Sequence, residues 1–117
     1  MRNPLQITFR DMPSSPALIA KIEARVEKLE RICGRITSCR VVVQAPHRSQ
    51  HKGGLFTITI ELSCPGAEIL ASRDAGRNPA HEDAYVAVRD AFDAVERRLE
   101  DSIRRRREAR VSRTVGA

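Results

Sequence analysis

Aromatic side chains are scarce in this sequence of 117 residues, which has no tryptophan, one tyrosine and three phenylalanines. Proteins that read single-stranded nucleic acid stack bases on exposed rings, so the composition argues against that class. No apolar run approaches the roughly 20 residues of a transmembrane helix. The first residues, MRNPLQITFRDM, lack the charged, apolar and small-residue series of a signal peptide. We therefore expect a cytoplasmic protein with no membrane partner.

Signatures of catalysis and of metal binding are missing as well. No GxSxG, HExxH or phosphate-binding glycine loop is present, so we expect no enzyme activity, no cofactor and no small-molecule substrate. The three histidines do not predict a metal site, because two of them flank a loop where helical spacing has no meaning. They are His47, His51 and His81. No CxxC pair occurs, and we expect buried, reduced thiols at Cys33, Cys39 and Cys64.

Positive charge is concentrated at one end of the chain. The whole sequence has 21 Lys and Arg against 15 Asp and Glu, a formal charge of +6. Residues 1–96 carry 13 basic and 12 acidic side chains, a net of +1, whereas residues 97–113 carry eight Arg and three acids, a net of +5. With 41% hydrophobic residues the chain is able to form a core, so we expect one folded domain with a basic C-terminal end.

Alternating apolar and polar residues predict four strands. The first is LQITF, whose period of two is typical of a strand with one buried face. The others are ITSCRVVVQ from Ile36, LFTITIEL from Leu55 and AEILASR from Ala67. The segment PHRSQHKGG is predicted to be a loop between the second and third strands. The segment SCPG predicts a tight turn between the last two strands, with Gly66 at a positive φ.

Apolar residues that recur at three and four predict a first helix over Ala17–Cys33. Either Ser14 or Ser15 is suited to cap its N-terminus, and Pro16 suits its first turn, where a missing N–H costs nothing. Gly34 is expected to end it.

A second, longer helix is predicted to begin at Asn78 and Pro79 and to follow an apolar stripe from Tyr85 to Ile103. It is expected to fray within Arg104–Arg107, because like charges four apart repel each other and the stripe ends.

These elements follow the order β-α-β-β-β-α. They predict one α+β domain, a four-stranded sheet with two helices on one face. If the first two strands are neighbours, the helix between them makes a right-handed crossover and they run parallel. We assign residues 1–103 to this domain and residues 104–117 to an Arg-rich C-terminal tail, expected to be partly disordered.

The first helix carries charges of opposite sign on the two flanks of its apolar stripe. Its acidic flank is Glu23, Glu27 and Glu30. Its basic flank is Lys21, Arg25, Lys28, Arg31 and Arg35. A basic edge of this kind is suited to phosphate groups, which accept charge-assisted hydrogen bonds. The alternative is a solvated helix with i,i+4 ion pairs, a spacing that Glu27 and Arg31 have.

The outward face of the second helix is predicted to start acidic and to end basic. Its acidic residues are Asp83, Asp90, Asp93 and Glu96. Its arginines are Arg97, Arg98, Arg104, Arg105, Arg106 and Arg107. Six cations exceed what complementing the helix dipole requires, so we favour a polyanionic partner, RNA. An anionic membrane surface is the weaker alternative, since the apolar face is committed to the core.

Three segments resemble a known family. RITSCRVVVQAPHR, AEILASRD and HEDAYVAVRDAFDAVERRLED are similar to the short form of the ribosome hibernation-promoting factor and ribosome-associated translation inhibitor family of bacteria, also described as sigma-54 modulation proteins. The most specific part is the D-x-Y-x-A-hydrophobic-x-x-A-hydrophobic-D series from Asp83, followed by an Arg-rich helix end. The family's fold, which is similar to double-stranded-RNA-binding domains, agrees with the order of elements predicted here.

The resemblance implies a function. A member of this family would bind the small ribosomal subunit between head and body and sterically block the channel for messenger and transfer RNA. We favour a monomer as the acting species, and its partners would be the small subunit and its ribosomal RNA. The basic residues expected to face RNA phosphates are Lys21, Arg25, Lys28, Arg31, Arg35, Arg89, Arg97, Arg98, Arg104, Arg105, Arg106 and Arg107.

Two other functions stay open. One is a protein-interaction regulator that uses the acidic helix face, acting on transcription as the older family name suggests. The other is a general double-stranded-RNA-binding module unrelated to ribosomes. The family's long form has a second domain that pairs ribosomes, and with the last residue here at Ala117 we do not expect this chain to pair ribosomes by itself.

Overall fold

The fold is described here from a computed structural model, for residues 4–45, 56–74 and 83–115. Its elements in chain order are β1 (Leu5–Arg10), α1 (Pro16–Cys33), β2 (Ser38–Gln44), β3 (Thr57–Cys64), β4 (Ala67–Asp74) and α2 (Asp83–Val115). This order confirms the predicted α+β class. The PHRSQHKGG loop, the three histidines and the predicted start of α2 at Asn78 and Pro79 lie outside the described residues.

The four strands form one sheet in the order β1-β2-β3-β4. β1 pairs with β2 in parallel, with Leu5 opposite Cys39, so the prediction of a parallel pair around α1 is confirmed. The other two pairs are antiparallel. The two residues between β3 and β4 make the tight turn that was predicted, and Gly66 has a φ of +85°. In this left-handed region glycine is favoured because it has no Cβ.

The alternation of side chains along the strands gives the sheet one covered and one open face. Every second residue of β2 and β3 is buried under the helices, and the residues between them lie on the open face. The buried strand residues include Cys39, Val41, Val43, Ile58, Ile60 and Leu62. Both helices therefore share a single core with one face of the sheet.

α1 has the ends that its sequence predicts. The Ser15 Oγ accepts a hydrogen bond from the Leu18 N–H at 3.3 Å, and Pro16 is the first helical residue. At the other end, Gly34 has a φ of +83° and donates its N–H to the Glu30 carbonyl at 2.7 Å. The prediction of this helix is confirmed, with Ser15 as the N-cap.

α2 packs on β3 and β4 and is much longer than the sheet is wide. Its 33 residues span about 50 Å at 1.5 Å per residue. The stripe predicted from Tyr85 to Ile103 is buried against the sheet and α1, with Phe92 fully buried. The prediction that the helix frays within Arg104–Arg107 is wrong, since it continues to Val115. The division of the chain at residue 103 stays a prediction.

The three cysteines are free thiols. Cys39 and Cys64 are buried as predicted, whereas Cys33, the last residue of α1, is partly exposed. Burial raises the pKa of Cys39 to about 12. Burial and a hydrogen bond with the Cys33 side chain raise the pKa of Cys64 to about 11, against the opposing charge of Arg106. Cys33, Cys64 and Arg106 therefore lie at the same end of the molecule.

The buried stripe of α2 gives a direct test of this core. We expect Phe92→Ala to lower the free energy of unfolding by about 3–5 kcal/mol, because Phe92 is fully buried and its removal leaves a cavity. Val86→Ala on the same helix is the control, and since Val86 is 36% exposed the change should stay within about 0.5 kcal/mol. Chemical denaturation measures both. Equal effects of the two substitutions would contradict the packing described.

Candidate nucleic-acid interface

The basic flank of α1 faces α2, and Arg25 lies at the centre of the contact. Its Nη2 donates to the Asp93 Oδ1 at 2.7 Å and to the Glu96 Oε2 at 2.8 Å. The Arg25 guanidinium also lies 5.7 Å from the centre of the Phe92 ring, within cation–π range. With only 18% of its side chain exposed, Arg25 links the two helices.

The electrostatics of Arg25 fit this structural role. Burial opposes its charge, but the hydrogen bonds and the charges of Asp93 and Glu96 outweigh burial and raise the pKa of the guanidinium. The Arg25 Nε is buried and has no hydrogen-bond partner among the described residues. The expectation that Arg25 faces RNA stays a prediction, and in this structure its donors are directed at α2.

The contacts on either side of Arg25 show that the two helices run parallel. Lys21 places its Nζ 5.8 Å from the centre of the Tyr85 ring, and the Lys28 Nζ lies 3.4 Å from the Glu96 Oε1. Residues 21, 25 and 28 of α1 thus meet residues 85, 92–93 and 96 of α2 in the same order. Two members of the α1 basic flank, Arg25 and Lys28, are thus neutralised by Asp93 and Glu96 of α2.

The acidic residues of α2 were predicted to lie on its outward face, and for two of them this prediction is wrong. Asp93 and Glu96 are three residues apart, so they share a side of the helix, and that side meets α1. Glu96 is left only 13% exposed. Asp90 pairs instead with its chain neighbour Arg89 at 3.3 Å on the surface. The outward acidic face on which a protein-interaction role was based is therefore reduced.

Beyond Lys28 the charges of the two helices are no longer balanced. Arg31 is the last member of the predicted basic flank within α1, whereas Arg35 follows the Gly34 cap and lies outside the helix. Both are exposed and form no ion pair with another described residue. Over the same part of the molecule α2 turns basic, since its residues 97–109 carry six Arg and three acids, a net of +3. The excess of positive charge therefore comes from both helices.

The end of α1 and the second half of α2 meet at one end of the sheet. The Thr37 N–H donates to the Ser63 carbonyl at 2.8 Å, which places the segment after α1 beside the end of β3. A Cβ at Gly66, in the β3–β4 turn, would collide with the guanidinium of Arg106. We call this part of the molecule the basic end and define it as Arg31, Arg35 and Arg104–Arg107.

The arginines of α2 differ in the contacts that they make. Arg97 is exposed beside Asp90 and Asp93, and Arg104 forms an ion pair with Asp101 on the same helix. Arg98 donates from its Nη1 to the Leu70 carbonyl on β4. Arg105 and Arg107 are exposed and form no ion pair within the described part of the chain.

These contacts explain why α2 does not fray. The Arg104–Asp101 pair offsets part of the repulsion in the arginine run, and the contacts of Arg98 with Leu70 and of Arg106 with Gly66 hold the helix against the β3–β4 hairpin. Sequence reasoning missed the last two contacts, because the partners are a backbone carbonyl and a glycine. Neither partner has a charged or polar side chain from which a contact with an arginine could be predicted.

Two further observations concern other classes of site. Within residues 4–45, 56–74 and 83–115, no three His, Cys, Asp or Glu side chains lie close enough together to hold a metal ion. Over the same residues, neither helix combines the length and the apolar character that crossing a bilayer requires.

Comparison with known families identifies the class of protein. Residues 5–107 match the model of the family described as "Sigma 54 modulation protein / S30EA ribosomal protein". The match covers most of the chain, so the protein belongs to this family, and the resemblance seen in the sequence is confirmed. The family consists of ribosome-associated factors that are not enzymes. No curated protein sequence matches the chain.

Solved structures support the fold. The crystal structure of the Thermus thermophilus Protein Y N-terminal domain is 18% identical, covers 82% of this chain and 93% of its own, and has a TM-score of 0.65. A ribosomal subunit interface protein from Coxiella burnetii is also 18% identical, with 83% and 93% coverage and the same TM-score. At this level of identity the likeness establishes the shared architecture.

The link between the helices gives a testable consequence. We expect Arg25→Met to lower the free energy of unfolding by about 1–3 kcal/mol, because two carboxylates lose a charged hydrogen-bond donor. Adding Glu96→Gln should recover part of the loss, since it removes a poorly exposed carboxylate that would otherwise keep only Lys28 as its cationic partner. A double-mutant cycle by chemical denaturation measures the coupling, expected to exceed about 0.5 kcal/mol. Strict additivity would show that Arg25 and Glu96 do not interact.

Proposed function

We propose that this protein binds the small ribosomal subunit and, by occupying the channel for messenger and transfer RNA, keeps the ribosome idle. It acts in the cytoplasm as a non-enzymatic factor, and its partner is ribosomal RNA. The observation that carries the proposal is the basic end of a chain that belongs to a ribosome-associated family. There Arg31, Arg35 and Arg104–Arg107 bring cations from two helices to one end of the sheet.

The physical basis is attraction between fixed cations and RNA phosphates. Each phosphate neutralised by Lys or Arg releases counterions, which favours binding at low salt. The rigid helices fix the spacing of the cations, so a folded RNA cleft is recognised by its shape and charge. The described residues provide no row of exposed rings for base stacking, since Phe92 is buried and Phe9, Phe56 and Tyr85 are packed against the core.

Sedimentation with purified small subunits tests the binding. The native protein should move with the subunit at low salt and be released as salt rises. We expect a variant with Arg104–Arg107 changed to Gln to bind more weakly, with a log–log salt slope smaller by about 3, because four cations are lost and each contributes about 0.7–0.9.

A control with the same change of net charge is available on the open face of the sheet. Arg10→Glu with Arg40→Glu removes four units of charge, as the four glutamines do, but both residues are exposed on the face that the helices do not cover. This control should retain most of the binding. Absence of the native protein from the subunit fraction at low salt would overturn the proposal. Equal losses of binding in the two variants would show that the basic end is not the surface that binds the subunit.

Channel occupancy is tested by competition. Small subunits loaded with messenger and an initiator transfer RNA should bind less of the protein than empty subunits, because the sites overlap. A duplex RNA of random sequence added in equal amount should compete poorly. Equal binding to loaded and empty subunits would refute channel occupancy, and strong competition by any duplex would indicate a general double-stranded-RNA-binding module.

A further inference from the structure

A groove runs between the free edge of β4 and the second half of α2. It has a volume of about 470 Å³ and is lined by Glu68, Ile69 and Leu70 on the strand side and by Arg98, Ser102, Arg105, Arg106 and Ala109 on the helix side. The helix residues recur at three and four positions, so they form one stripe along α2. This stripe is separate from the apolar one and begins where α2 turns basic.

Two of the three arginines in the groove contact the β3–β4 hairpin. Arg98 donates from its Nη1 to the Leu70 carbonyl, and the Arg106 guanidinium lies against Gly66, where the missing side chain leaves it room. A guanidinium has five N–H donors, so the bond to Leu70 leaves most of those on Arg98 available. This bond already restricts the Arg98 side chain, which lowers the entropy that it loses when a ligand binds.

The groove carries a net charge that favours an anion. Three arginines and one acidic residue, Glu68, line the groove, which gives a net charge of +2, and the Ser102 hydroxyl adds a further donor. Planar guanidinium groups bind phosphate oxygens in a bidentate manner, and hydroxyl groups also donate to phosphates.

We propose that this groove is a binding site for a phosphate group of the RNA backbone, held by Arg98, Ser102, Arg105 and Arg106. The inference rests on the proposed function for the source of the phosphate. It divides the arginine run into two sets with different roles. Arg105 and Arg106 hold the phosphate, whereas Arg104 and Arg107 lie outside the groove and add only to the general positive field.

The groove is tested directly by NMR of the arginine side chains. Inorganic pyrophosphate, and separately a short RNA duplex, are titrated at low salt into the full-length chain with 15N-labelled arginine. The Nε–Hε signals of Arg98, Arg105 and Arg106 should shift together, and by more than those of Arg104 and Arg107. Equal shifts along the whole run would overturn the site.

Paired substitutions test the groove on the small subunit. Arg105→Gln with Arg106→Gln should weaken binding about tenfold more than Arg104→Gln with Arg107→Gln, although both lose two charges, because only the first pair removes charge-assisted hydrogen bonds. Circular dichroism checks that α2 is retained in both. Equal losses in the two folded variants would overturn the inference.

A gain of affinity provides a test that damage to the fold does not imitate. Glu68→Gln removes the one carboxylate of the groove and should tighten binding about threefold, by removing repulsion of the phosphate. Glu100→Gln, on an exposed part of α2 outside the groove, is the matched control and should have a smaller effect. An unchanged or weaker affinity for Glu68→Gln would count against the site.

The two proposals fail in different ways. Shifts confined to the groove without binding to the small subunit would overturn the proposed function and leave the phosphate site standing. Binding to the small subunit with no difference between the paired substitutions would overturn the groove alone.

Discussion

The charge balance between two parallel helices determines which surface of this protein is basic. The cations of α1 meet α2 in order along its length, and the first half of α2 supplies carboxylates for them, most closely around Arg25. The second half supplies arginines instead. Because the helices run parallel, the end of α1 and the arginine run of α2 reach the same end of the sheet. Cations that would otherwise be spread over two helices are left unbalanced in one place.

Local patterns in the sequence were sufficient to locate the four strands and the first helix. The strands follow from alternation and the helices from a period of three and four, and both are properties of neighbouring residues. The cap at Ser15 and the positive φ at Gly34 and Gly66 also depend on residue chemistry at single positions. The parallel pairing of β1 and β2 was predicted on the condition that the two strands are neighbours, because a helix between neighbouring strands returns the chain so that they run parallel.

The roles of the charged residues were harder to predict, because they depend on which face of α1 packs against which face of α2. A helical wheel relates each side chain to the apolar stripe of its own helix and contains no information about the neighbouring helix. Arg25 was therefore grouped with Arg31 and Arg35, although its donors are directed at Asp93 and Glu96. The length of α2 was underestimated for the same reason. Repulsion within the arginine run is a local effect, whereas the contacts of Arg98 and Arg106 with the β3–β4 hairpin are tertiary.

The same tertiary contacts bear on the proposed binding to RNA. Long arginine side chains in a frayed tail would lose much conformational freedom on meeting a phosphate, and this loss would oppose binding. In α2 the backbone is already helical, and the Arg98 guanidinium is already hydrogen-bonded to the hairpin before a ligand is present. The length of α2 and the absence of a side chain at Gly66 thus act together, since a shorter helix would not reach the turn and a larger residue would displace Arg106.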